Sequence, residues 1–140
     1  MSAMNLAERA TATERVIRRF RDKPFSWRER RTCIHLARAQ MRALGHKPPM
    51  LPDFRSAIGA RTALKKTGHA KLEALLDAML PRIAPAAMLV GDLALVPGEP
   101  PFDAALGVWA GDTLLMYHEE AAALANVKDA MPQIVAAWRV

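Results

Sequence analysis

Between residues 80 and 93 the spacing of apolar residues changes from a helical period to a strand-like one, and Pro81 and Pro85 mark the change. Helix-spelled segments precede it and short apolar runs follow it. A chain whose helices and strands are segregated in this way, rather than alternating, predicts an α+β domain with its sheet built from the second half. At 140 residues, 51% of them hydrophobic, the chain has material for one core, so a single domain over 1–140 is expected.

The first half reads as four helices. Leu6, Ala10, Thr13, Ile17 and Phe20, joined by Val16, recur at helical spacing while Arg15, Arg18 and Arg19 fall off the stripe, predicting a helix over residues 4–21. Thr11 to Glu14 also spells a capping box, which allows a later start, and Lys23-Pro24 ends the segment. Thr32 is an N-cap residue for a second helix over 32–44, with Gly45 as its stop and Ile34, Ala37, Met41 and Leu44 as its buried stripe. The loop 47–52, broken by Pro48, Pro49 and Pro52, is a connector and a possible cleft wall. Two more helices are expected over 54–66, stopped by Gly68, and over 71–80.

The second half reads as strands. Segments 92–96, 104–109 and 113–117 are short and apolar-rich, and the Ala110-Gly111-Asp112 connection predicts a hairpin between the last two. Further strands are expected at 124–127, where alanines suit a helix equally, and at 136–140. Trp109 and Trp138 read as core or interface aromatics rather than ligand platforms.

Charge divides the chain at nearly the same place. Residues 1–69 hold 16 Lys and Arg against 5 Asp and Glu; residues 70–140 hold 4 against 9. A basic half suits nucleic acid, an anionic surface, an acidic partner, or the acidic half of its own fold. No nucleic-acid motif or aromatic stacking pattern accompanies the basic residues, which argues against nucleic acid. The single cysteine excludes an intrachain disulfide, and residues 1–10 lack a signal-like apolar run, so synthesis in the cytoplasm with no membrane span is expected. There is no Cys/His cluster of zinc spacing, no phosphate loop and no nucleophile elbow, so no metal or nucleotide cofactor is implied.

One nucleophile stands out by position. Cys33 falls in the first turn of the helix that Thr32 caps, where free N–H groups and the helix dipole stabilise a thiolate, and Arg30 and Arg31 lie just upstream. An accessible thiol there is expected to have a lowered pKa, although a lone helix cysteine is more often a small core residue. Of the histidines, His35 points around the helix from Cys33, while His46 and His69 read as loop residues. His118, after the last hairpin strand, is the one placed to approach the thiol.

The order of Phe25 and Trp27, Cys33 at a helix start, Gly91-Asp92-Leu93 leading a strand and Leu106-Gly107-Val108 in the next strand resembles the papain-like, NlpC-type cell-wall peptidases. A set of short phage and prophage proteins encoded among tail genes, ending in a similar Ala-Trp-Arg-Val, is the nearer likeness. The resemblance implies a papain-like fold, with neighbouring tail proteins as partners, peptidoglycan as a second partner, and a place in the virion tail. It also implies a catalytic histidine just before Leu106, where this chain has Ala105; Arg28 and Thr32 depart from the family's Gly and Asp. Alanine accepts no proton. The expected function is therefore a tail-tip or baseplate structural protein on a degenerate peptidase scaffold. The alternatives are an active murein cysteine peptidase using Cys33 with His118, and a basic nucleic-acid-binding module. Trp138 and Arg139 are nominated as a docking pair on residue type, with a sheet-completing C-terminal strand as the competing explanation.

Overall fold

The structure, a computed structural model, describes residues 4–119 and 121–140. Among these residues four helices precede a six-stranded sheet, the α+β order that the apolar spacing predicts. α1 (Leu6–Phe20) starts at Asn5, whose side chain accepts from the Glu8 amide while the Glu8 carboxylate accepts from that of Asn5. This capping box starts the helix ahead of the one spelled at Thr11. The added turn is not part of the buried stripe: Leu6 and Ala10, read as stripe residues, are exposed, and Arg9 is the buried side chain there, while Thr13, Val16, Ile17 and Phe20 are buried as expected. α2 (Cys33–Ala43) begins behind Thr32 as expected, and Gly45 follows it at φ +92°. α3 (Ala57–Lys66) starts later than its spelling from residue 54, since Ser56 caps it, the hydroxyl accepting from the Gly59 amide. α4 spans Leu72–Met79.

The strands are β1 (Arg82–Ile83), β2 (Leu93–Pro97), β3 (Ala104–Trp109), β4 (Leu114–Met116), β5 (Ala125–Val127) and β6 (Ala136–Trp138). They form one antiparallel sheet in the order β1-β6-β2-β3-β4-β5. The two-residue β1 has no apolar signature of its own; it exists because β6 offers it an edge. The hairpin of β3 and β4 turns through 110–113, and 125–127 resolves as strand, paired with β4.

Period-two alternation explains why the strands read as unbroken apolar runs. Leu93, Leu95, Leu106, Val108, Ala136 and Trp138 face the helices, whereas Ala94, Val96, Trp109, Leu114 and Met116 face a second small core with Ala130 and Ile134. Both faces of the sheet are covered. α2 lies on β3 and α1 on α2. No helix among the described residues is long and apolar enough to cross a membrane.

Two glycines of the recognised motifs are steric requirements. Gly91 sits at φ +93°, and a Cβ there would lie 2.8 Å from Thr13 Oγ1 and 3.0 Å from the Gln40 amide nitrogen, which donates to the Gly91 carbonyl. A Cβ at Gly107 would lie 2.7 Å from Leu114 Cγ, so its absence gives Leu114 its place. The Gly-Asp-Leu and Leu-Gly-Val runs thus carry packing whether or not chemistry accompanies them.

Candidate functional site

The start of α2 is built by a short loop. Ser26 and Arg31 exchange main-chain hydrogen bonds of 3.0 and 2.9 Å, and Ser26 Oγ accepts from the Glu29 amide, which pinches 27–30 into a turn with Arg30 at φ +58°. Phe25 and Trp27 are thereby set beside the helix, edge to face at 5.1 Å, and Tyr117 and Phe54 extend the aromatic cluster. Tyr117 ties β4 to the end of α1, its hydroxyl lying 2.9 and 3.0 Å from the main-chain oxygens of Phe20 and Lys23.

These elements enclose a cleft of about 380 Å³ whose lining includes Cys33, Ala105 and His118. Three positions far apart in the chain, each singled out by sequence, meet there. Phe25, Trp27 and Tyr117 form aromatic parts of the wall, and the proline-rich 97–102 connection forms another. The 47–52 loop, expected as a cleft wall, lines a separate cavity of about 230 Å³ through Lys47, Pro48 and Pro49, opposite Ala78 and Met79. Glu99 and Glu119 join exposed His118 at the rim; nothing in their spacing signals this, because the β2–β3 and β4–β5 connections meet only when the sheet has formed.

The thiol is not the activated group expected of a helix N-terminus. Cys33 is only 8% exposed, and burial pushes its pKa up, more than hydrogen bonding from the backbone at Leu106, Cys33 and Ile34 pulls it down. Arg30 turns instead to Asp53 at 3.2 Å and Arg31 to the Pro24 carbonyl at 2.8 Å. Desolvation therefore overrides the helix-terminus argument. Alkylation of the native protein is expected to be slow at pH 8 and to rise only at a pH above that of an ordinary free thiol, about 8.5. A rate against pH matching a small-molecule thiol would refute this.

Residues 4–140 match the family model described as "Domain of unknown function (DUF6950)". The chain belongs to the DUF6950 family. No curated protein matches it significantly.

In this DUF6950 domain the thiol and the histidines are set apart in their hydrogen bonding. Among the described residues no hydrogen bond joins His118 to the thiol, although both line the cleft. His35 sits elsewhere, its Nδ1 2.8 Å from Thr32 Oγ1 and its ring 5.0 Å from that of Phe54. Burial and then Arg30 lower its pKa to about 4, which keeps it neutral near pH 7. His46 and His69 are half-buried loop residues, less solvated than expected.

The nominated docking pair has structural duties in the DUF6950 domain. Trp138 is fully buried in β6, between β1 and β2, with its indole N–H donating to Asp77 at 2.9 Å. Its ring is core, which corrects its nomination as an interface anchor; residue type is the same in either role, and only the strand order separates them. Arg139 donates to buried Asp92 at 2.9 Å and to the Ala87 carbonyl at 2.8 Å. Asp92 also accepts from Arg9 at 2.7 Å and from the amides of Leu89 and Val140. The aspartate of the Gly-Asp-Leu motif thus anchors α1, the turn before β2 and the residues after β6 at one point. Its position ahead of a buried strand was the available signal.

Proposed function

We propose that this domain is a degenerate papain-like, NlpC-type scaffold that works without catalysis, as a structural component of a phage or prophage tail tip or baseplate. The observation that carries the reading is that Ala105, at the position where the likeness implies the catalytic histidine, lines the same cleft as Cys33 with a side chain that accepts no proton. A cysteine peptidase needs a thiolate, a base to take and return the proton, and a group to orient that base. Here burial favours the protonated thiol and a methyl group occupies the base position. The helix-start cysteine, α2 packed on β3, and the Gly91-Asp92-Leu93 run leading β2 support the likeness to the peptidase scaffold.

Purified protein is expected to release no muropeptides from peptidoglycan above background, with Cys33→Ala changing nothing but stability. General acid–base assistance alone is worth about a hundred- to ten-thousandfold in rate, so its loss is easily seen against an active peptidase. The second reading, a working peptidase with His118 as base, draws on His118 lining the same cleft. Muropeptide release abolished by both Cys33→Ala and His118→Ala would establish it and sink the scaffold reading. Composition of purified particles tests the tail assignment directly: absence of the chain from tails would remove it.

A further inference from the structure

Across the 97–102 connection from the Cys33 cleft lies a second groove, about 550 Å³, between α3, the start of α4 and the end of β2. Its floor is apolar, formed by Leu64, Leu72, Leu95 and Phe102, and Val135 is 57% exposed at its edge. Three cations line it. Arg61 and Lys65 are one turn apart on α3 and so share a face, and Lys71 stands immediately before α4. Two acids line it as well, but Arg82 holds Glu73 at 2.9 Å, which leaves Asp103 to oppose the three.

The fold does not neutralise these cations. Among the described residues no ion pair engages Arg61, Lys65 or Lys71, and the only pair joining the basic first half to the acidic second is Arg9–Asp92. An apolar floor under an excess of positive charge complements a ligand that brings apolar and anionic groups together. Nucleic acid fits it poorly, because the floor is aliphatic but for one phenylalanine and offers no stacking platform.

We propose that this groove docks an acidic segment of a partner protein, with an apolar side chain on the Leu64–Leu72–Phe102 floor and carboxylates against Arg61, Lys65 and Lys71. This deepens the reading of the domain as an assembly part and rests on it. The groove, rather than the buried Trp138, then joins the domain to its neighbour.

The test is fluorescence anisotropy of the full chain with a labelled Glu-Glu-Leu-Phe-Glu-Glu peptide at low and physiological salt. Binding is expected, weaker in salt, since exposed charges are screened over about 10 Å at 0.1 M. The pair Lys65→Glu and Lys71→Glu, both at exposed positions, should weaken it at least roughly tenfold, as should replacing Leu-Phe by Ser-Ser in the peptide. Reversing exposed Arg15 and Arg18 on α1 should leave it unchanged. If the Glu pair misfolds by circular dichroism, the Lys65→Gln and Lys71→Gln pair takes its place. No binding, equal loss on reversing α1, or tighter binding of a single-stranded oligonucleotide through the same lysines would each overturn the proposal. Muropeptide release by the unaltered chain would instead strike the scaffold reading and leave the peptide result standing, so the two failures are distinguishable.

Discussion

Deleting residues 136–140 is expected to unfold the domain. β6 is an interior strand between β1 and β2, so its loss strips hydrogen bonds from both neighbours and removes the fully buried Trp138 side chain. A buried Trp→Ala change alone typically costs about 3–5 kcal/mol, a large share of the roughly 5–15 kcal/mol that holds a domain together. The deletion adds the lost strand pairing, the indole bond to Asp77 and the two Asp92 contacts made by Arg139 and Val140. Circular dichroism and thermal unfolding of the truncated chain, beside Trp138→Ala in the full chain, are the measurements. Cooperative unfolding of the truncated chain near the full-length temperature would contradict this account. Absence of a truncated chain from particles would report unfolding, not a lost docking surface.

The second large effect is expected at Asp92. Its carboxylate is fully buried and bridges Arg9 and Arg139 while accepting from the Leu89 and Val140 amides. Asp92→Ala leaves the Arg9 guanidinium, itself only 7% exposed, buried without its counter-ion. Breaking a buried pair from one side costs about 3–5 kcal/mol, whereas an exposed pair is worth about 0–1. Urea unfolding near pH 7 should therefore show a loss of several kcal/mol, and the melting temperature should fall on the order of 10 °C. Asp92→Asn keeps acceptor capacity for the amides and should lose less. Combining Arg9→Met with Asp92→Leu should recover part of the loss, because the unpaired buried charge goes with the pair. A loss below about 1 kcal/mol for Asp92→Ala would show that the network behaves as a surface pair does.

Local chemistry in the sequence determined much of the architecture. Apolar periodicity, the Thr32 cap and the Pro81–Pro85 break specify helices before strands, because each acts over one or two turns and needs no distant partner. The Gly111 turn specifies the β3–β4 hairpin for the same reason. The positions that meet in the cleft, Cys33, Ala105 and His118, were legible too, through motif order along the chain.

Tertiary structure alone decided the state of those positions. A helix-start cysteine should ionise readily if solvent reaches it and resist if it does not, and solvent access depends on what α2, β3 and the aromatic cluster exclude together. The same holds for Trp138, whose burial follows from β6 inserting between β1 and β2, whose paired residues lie 41 or more positions earlier in sequence, Leu95 with Ala136 being the nearest pair. It holds also for Asp92, because a carboxylate in a strand-leading Gly-Asp does not announce two arginines 83 and 47 residues away. Burial and long-range pairing depend on which surfaces the whole chain brings together, so no local window of sequence contains them.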